Sequence, residues 1–329
     1  TTTVAFKIVD TRNQQIMCKK YIKMDDGKIS KKGVQNAIKE FNLIQKIDHP
    51  CFCSAIAINA SEQVNKSLLD TIDTSNNSIN SISKEDNGNK NDENNNDSIQ
   101  NLTTAALFFE YLEINLKQYI KANLLTNTLK TKIAVEVASG MSHIHKLGMI
   151  HKDLRIDNIL LNSVLEAKII GLNLDRIALF IRKGIIREED SHFKSSLMKD
   201  ISTFAYMSPE LQKEKNFGSK TDVYSFGVVL HVLFTGKLPK LSLKDKVSGK
   251  KAELPPPSES ISPFCIQLID QCLSFDPSKR PSFDQILEIM QKNNYLLAAE
   301  VDSKLVSRRH RALNRYESLH FGTDSFSSH

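Results

Sequence analysis

The chain has 329 residues, of which 40% are hydrophobic and 25% charged, and a net charge of +6; this is soluble globular composition at a length that suits two lobes. The five cysteines (Cys18, Cys51, Cys53, Cys265 and Cys272) are odd in number and scattered, which excludes a disulfide scaffold, suits a reducing compartment and leaves Cys51-Phe-Cys53 without a second pair to complete a zinc site. The charge is too small to argue for a nucleic-acid partner, and no stretch reaches the ~18–20 apolar residues of a membrane span.

Residues 4–23 alternate short apolar runs around a polar turn, DTRNQQ (10–15), the pattern of a β-hairpin. Residues 33–47 change to helical period, with Val34, Ala37, Ile38, Phe41 and Ile44 on one stripe and Glu40 at its border. Residues 61–101 hold eleven asparagines and no aromatic residue or proline. Such a segment cannot bury enough apolar surface to offset its ordering entropy, so it reads as a disordered insertion. Its N-x-S/T triplets at Asn65, Asn76 and Asn96 follow from that composition. A strand is expected to resume the structure at TTAALFFEYLE (103–113).

Beyond about residue 113 the chain reads as mostly helical. An amphipathic helix spans 130–148 and stops at Gly148. His143 and His145 on it are read as packing or solvent-facing side chains rather than ligands. Two short strands follow near 157–170, then a loop-rich stretch from 171 to 210 and an almost wholly apolar helix at 222–235. PPP at 255–257 breaks the chain, and two helices flank FDPSKRPS (275–282). The tail 303–316 carries Lys304, Arg308, Arg309, Arg311 and Arg315 with no acid. It is expected to be a solvated basic helix, with an acidic partner or anionic lipid as the alternative.

The chemistry concentrates in HKDLRIDNILL (151–161). Asp153 followed five residues later by Asn158 puts a carboxylate and a carboxamide on one tight loop, an arrangement that suits phosphoryl transfer. The stretch resembles the catalytic loop of the eukaryotic protein kinases, H-R-D-L-x-x-x-N. Further matches follow in order. Lys19 in QIMCKK is similar to the strand lysine on the phosphates, and Glu40 to the helix glutamate that pairs with it. LFFEYLE (107–113) resembles the hinge strand, with Phe109 guarding the adenine pocket. Glu210 of YMSPE, Asp222 of TDVYSFGVVL and Arg280 of DPSKRP resemble structural residues of the family: Asp222 is expected to tie down the catalytic loop and Arg280 to pair with Glu210. The resemblance covers roughly residues 4–292 outside the insertion and lies nearest the tyrosine-kinase-like branch of Ser/Thr kinases. Thr203 fits that branch, while Arg155 in place of its usual lysine leaves the acceptor residue open.

One departure bears on catalysis. The family's metal-binding motif, K-I-x-D-F-G-L-x-R, lies over KIIGLNLDR (168–176). Lys168, Ile169, Leu174 and Arg176 match, so D-F-G becomes Gly171-Leu172-Asn173. Asp175 stands four residues too late to substitute. An opposite charge at ~4 Å is worth roughly 4 kcal/mol at an effective dielectric of about 20, which is on the order of a thousandfold in rate. Lys152 replaces an arginine and cannot give a bidentate fork. The first 26 residues hold no glycine, so no Gly-rich loop covers the phosphates within this stretch.

The resemblance implies an α+β, two-lobed protein-kinase-like fold. A β-rich N-lobe (1–112), missing its first strand and Gly-rich loop, carries the insertion 61–101; a helical C-lobe spans 113–297 and a basic tail 298–329. It further implies Asp153 as base with Lys19, Glu40 and Arg155 beside it. ATP would lie against Val4, Lys19, Phe109, Glu110, Leu112 and Leu160, with Asn158 as the one retained metal ligand. Gly171 puts magnesium in doubt. The expected function is a pseudokinase acting as a nucleotide-responsive switch or scaffold. The alternative is a weakly active Ser/Thr or dual-specificity kinase. Protein partners or protein substrates are expected, and nucleic acid is not. The chain begins with Thr, so residues upstream are expected, and any membrane attachment is assigned to them; the chain itself would be cytoplasmic.

Overall fold

Four short runs of apolar and β-branched residues pair as one antiparallel sheet: β1 (Thr3–Val9), β2 (Ile16–Ile22), β3 (Ala55–Ala60) and β4 (Ala105–Glu110), in the order β1-β2-β4-β3. The computed structural model describes residues 3–9, 16–22, 41–42, 44–60, 105–171, 201–210, 218–241, 245 and 248–321. Glu40 with most of the expected helix 33–47, the Asn-rich stretch 61–101, and residues 172–200, which include Leu172, Asn173 and Asp175, lie outside them. The chain divides into two units, one of Thr1–Asn42 with Ala55–Tyr111, the other of Leu43–Ser54 with Leu112–His329. The first is built on the sheet and the second is mostly helical, which is the expected α+β, two-lobed kinase fold.

The helical unit opens with β5 (Ile114–Asn115), which pairs with β6 (Ile159–Leu161), and β6 with β7 (Ala167–Ile169). Its helices are α1 (Leu116–Lys121), α2 (Asn127–Lys146), α3 (Ile201–Tyr206), α4 (Ser219–Thr235), α5 (Pro263–Cys272), α6 (Phe283–Lys292) and α7 (Ser303–Phe321). Side chains set the boundaries. Thr126 and Ser262 cap α2 and α5 by accepting backbone N–H bonds, and Ser282 and Gln285 form a reciprocal capping box on α6. α4 stops at Gly236, whose φ of 73° glycine adopts without Cβ strain. None of the five cysteines is in a disulfide.

α2 is the centre of this unit, with α4, α6, α7 and β7 packed on it. The amphipathic pattern predicts a wet face, but every residue from Ile133 to Ile144 is buried. The polar face is covered by α6 and α7, which bring matched partners. Ser142 donates to Asp284 on α6 (2.6 Å), and Arg309 on α7 donates to the fully buried Glu136 (2.7 Å) while also pairing with Glu166 (2.9 Å). The expected solvated tail is thus a docked helix, with Val306, His310 and Leu313 buried. Its inward arginine joins Lys132 and the Ala167 N–H as partners of a carboxylate buried in the core.

The segment 49–53 belongs to the helical unit. Cys53 N–H donates to Ile169 O (2.9 Å) and Ile169 N–H to Cys51 O (2.7 Å). A Cβ on Gly140 would lie 3.0 Å from Ile169 Cδ1 and 3.2 Å from Phe52, tighter than ordinary contact, so a larger residue would require those side chains to shift. α7 closes over the same place. Glu317 Oε1 accepts from His143 Nδ1 (2.8 Å) and lies 3.3 Å from His49 Nε2. His49, His143 and Glu317 have ligand atoms within 4.8 Å of one another, close enough for a metal ion. However, His49 Nδ1 accepts the Cys51 N–H (3.1 Å). Its ring proton therefore sits on Nε2, facing Glu317, and no lone pair is left there for a metal. The trio is a hydrogen-bonded clasp.

Burial lowers the His49 pKa to about 4, and it lowers those of His151, His231 and His310 as well. Below pH ~6.5 the unfolded chain takes up protons that these rings refuse, so stability falls as pH drops from ~6.5 towards 4. The Glu317 pKa is lowered, His143 and Lys146 outweighing burial, and its contribution is lost at the acid end of the same window. Urea denaturation is expected to show this decline, and His49→Gln to flatten it by on the order of 3 kcal/mol. An unchanged acid-side slope in the variant would remove His49 from the account.

Candidate active site

The loop 151–158 is held by a carboxylate from another helix. Asp222, in the first turn of α4 and fully buried, accepts the N–H of His151 (2.8 Å) and of Lys152 (2.9 Å), and its Oδ2 lies 2.9 Å from His145 Nε2. A buried carboxylate needs such donors, and a helix N-terminus favours its charge. The clamp holds Lys152 at a φ of 68°, a conformation that costs an L-residue about 1–2 kcal/mol. His151 Nδ1 accepts the Asp153 N–H (3.3 Å) and its Nε2 lies 3.2 Å from Ile170 O. The ring is therefore a neutral spacer between the loop and the end of β7, in keeping with its lowered pKa.

Asp153 and Asn158 are brought into contact. Asn158 Nδ2 donates to the Asp153 carbonyl (2.7 Å) and to its carboxylate Oδ2 (3.0 Å). Behind them, Ile170 N–H donates to Asn158 O (2.9 Å). Gly171 comes next, at a φ of 81°, and a Cβ there would lie 3.4 Å from Cγ, Nδ2 and Oδ1 of Asn158. That is ordinary contact distance, but the positive φ strains an L side chain there, and the position carries glycine. Magnesium is a hard cation that prefers carboxylate oxygens. Position 171 offers none, so the donor set does not fit a magnesium ion held between residues 158 and 171.

Arg155 is already occupied. Its Nε and Nη2 donate to Asp157 Oδ2 (3.1 and 2.9 Å), and its guanidinium stands 5.8 Å from the Tyr206 ring centre. Lys117 Nζ takes the other Asp157 oxygen (2.6 Å). Burial pushes the Asp157 carboxyl up, but Lys117 and Arg155 outweigh it and the net shift is downward. Further out, Arg280 is fully buried and forks onto Glu210, Nη1 to Oε1 (2.6 Å) and Nη2 to Oε2 (2.8 Å), while also donating to Ser274 O and Lys220 O. Leu160 lies in β6 opposite Lys168 and Asn115. Leu112 is a half-buried residue at the start of the helical unit.

The sheet register pairs the residues expected around ATP. Lys19 opposes Phe6 and Phe108, Val4 opposes Tyr21, and Phe109 opposes Cys18. Leu107, opposite Lys20, is fully buried. Glu110 ends β4 opposite Met17. Glu40, which would pair with the lysine, lies outside the described residues, as do the side chains of Val4, Lys19, Lys20 and Thr203. Sequence reasoning also missed His145 as a partner of Asp222, for which no local signal exists. It missed Asp157 as the anchor of Arg155, which the two-residue spacing could have suggested.

A small antiparallel sheet ahead of a mostly helical unit, with an acid and an amide hydrogen-bonded on a clamped loop, makes up a two-lobed kinase-like fold. The chain belongs to the protein kinase domain family, whose model matches residues 1–290. It is similar to the serine/threonine/tyrosine-protein kinase HT1 of Arabidopsis thaliana, with 31% identity over 54% of this chain and 44% of the relative. It is similar also to the human mitogen-activated protein kinase kinase kinase 11, with 36% identity over 48% of this chain and 19% of the relative. The dual specificity protein kinase pyk3 of Dictyostelium discoideum shares 33% identity over 55% of this chain and 13% of the relative. The chain spans less than half the length of these relatives. α7 lies beyond the matched residues.

Arg280→Leu is expected to destabilise the protein by about 3–5 kcal/mol, because it leaves Glu210 half-buried and unpaired. Arg280→Leu/Glu210→Leu should recover a large part of that loss in a denaturation experiment. If the double variant is no more stable than the single one, the fork is not the source of the cost.

Proposed function

We propose that this protein is a pseudokinase, a kinase fold that works as a nucleotide-responsive switch or a scaffold for protein partners with little or no phosphoryl transfer. The observation that carries the reading is Gly171. The turn that follows β7 keeps its hydrogen bond to the catalytic loop and its contact with Asn158, yet it supplies no carboxylate. On this reading Val4, Lys19, Phe109 and Glu110 of the sheet unit would contact nucleotide, with Lys19 on its phosphates. Glu40 would orient the lysine. Metal would contribute little, since Asn158 offers only a neutral oxygen. The protein would act in the cytoplasm or as the cytoplasmic part of a longer chain.

A second reading has one observation in its favour. Asp153 is held by Asn158 in a fixed position, and a positioned carboxylate can still orient an acceptor hydroxyl. On that reading the protein is a slow Ser/Thr or dual-specificity kinase.

Two measurements separate these readings. ATP with magnesium is expected to raise the melting temperature no more than ATP with EDTA. A large magnesium-dependent rise, together with autophosphorylation abolished in Asp153→Asn, would establish the slow kinase instead. Gly171→Asp should create magnesium-dependent binding, since aspartate tolerates positive φ better than most residues. In the second measurement, Lys19→Met is expected to weaken ATP binding at least tenfold while Lys20→Met leaves it within about twofold; each tenfold is roughly 1.4 kcal/mol. The reverse order would move the phosphate role to Lys20.

A further inference from the structure

α7 has two faces of opposite character. The inner face is neutralised by Glu136, Glu166 and the Glu317 clasp. The outer face exposes Lys304, Arg308, Arg311 and Arg315, spaced i, i+4, i+7 and i+11. At 100° per residue these fall within about 60° of arc along about 16 Å of helix. Among the described residues no ion pair involves any of the four; Arg311 donates only to Ser307 on its own helix (3.0 Å). Beside this row runs a second, Leu305, Ala312 and Leu319, spaced by seven and exposed, with Leu305 44% and Leu319 88% accessible. Both rows look away from α2.

We propose that the outer face of α7 is a docking surface for an anionic lipid bilayer. Charge complementarity sets the sign of the partner, and the side-by-side rows select its kind. An acidic partner helix would need an apolar seam at both a and d positions. Here the a row is Leu305, Ala312 and Leu319, and the d positions are Arg308 and Arg315. A seam of that kind fails as a coiled coil. It suits a headgroup layer, where isolated leucines enter the acyl boundary while arginines reach lipid phosphates from the same face. Lysine and arginine near an anionic surface each contribute roughly fivefold in affinity, so four give several hundredfold. That is weak, reversible attachment, of the size that works together with a second signal. The sequence left anionic lipid as one alternative for this tail; the docked helix shows which of its faces carries the exposed basic row. The proposal does not depend on whether the protein transfers phosphate.

Sedimentation of the full chain with vesicles tests it. In 0.1 M salt the protein is expected to pellet with phosphatidylcholine vesicles containing about 30% phosphatidylserine and to stay in solution with phosphatidylcholine alone. About 0.5 M salt should release it. The variant Lys304→Ser/Arg308→Ser/Arg311→Ser/Arg315→Ser should bind at least a hundredfold more weakly with an unchanged melting temperature, and Leu319→Ser severalfold more weakly. Lys250→Ser/Lys251→Ser, on a different surface, should bind as the parent does. If the fourfold variant fails to fold, Arg308→Ser and Arg315→Ser singly carry the same reading, each about fivefold weaker. Absence of pelleting, equal pelleting with neutral vesicles, or full binding by the arginine variants would overturn the proposal. So would binding to soluble polyglutamate as tight as to vesicles and indifferent to Leu319→Ser, which would assign the face to an acidic protein.

Discussion

The buried carboxylate of Asp222 is the constraint on which the functional half of this molecule rests. It has no exposure to water, so its charge is tolerable only while the N–H groups of His151 and Lys152 and the ring of His145 converge on it. Those donors come from the catalytic loop and from the end of α2. Satisfying one acid therefore fixes the loop on the helical core and holds Lys152 in a left-handed conformation. Asp153 and Asn158 then meet at hydrogen-bonding distance.

This dependence explains how a frame can outlive a reaction. None of the bonds that hold the loop involves a side chain at position 171. The contacts there are backbone ones, Ile170 N–H to Asn158 O and His151 Nε2 to Ile170 O. A glycine at a φ of 81° fits that turn without strain. On the pseudokinase reading proposed above, the missing acid removes chemistry while leaving the architecture intact. The fold is thus evidence of family, and activity must be argued from the donors present.

α7 adds a second layer to the same logic. Its inward residues complete polar groups that α2 would otherwise expose or strand: Arg309 for Glu136, and Glu317 for His143 and His49. Because His49 lies in the segment just before β3, the appended helix is fastened to that short stretch of chain. The helix is therefore part of the domain.

The family, the α+β architecture and the position of the catalytic loop were legible in the sequence. They rest on short-range patterns: periodicity, caps, and a loop whose residues lie within eleven positions. Gly171 was legible for the same reason, since matching residues on both sides pin its register. What tertiary structure decided lies at long range. The sequence does not state which residues of β2 and β4 stand opposite one another; the pairing does, setting Cys18 against Phe109 and Lys19 against Phe108. An amphipathic helix does not state that its polar face will be covered; α7, more than 150 residues away, covers it. Local sequence determines which elements form and which groups need partners. Which partners meet them is settled only when distant segments compete to bury the same charges.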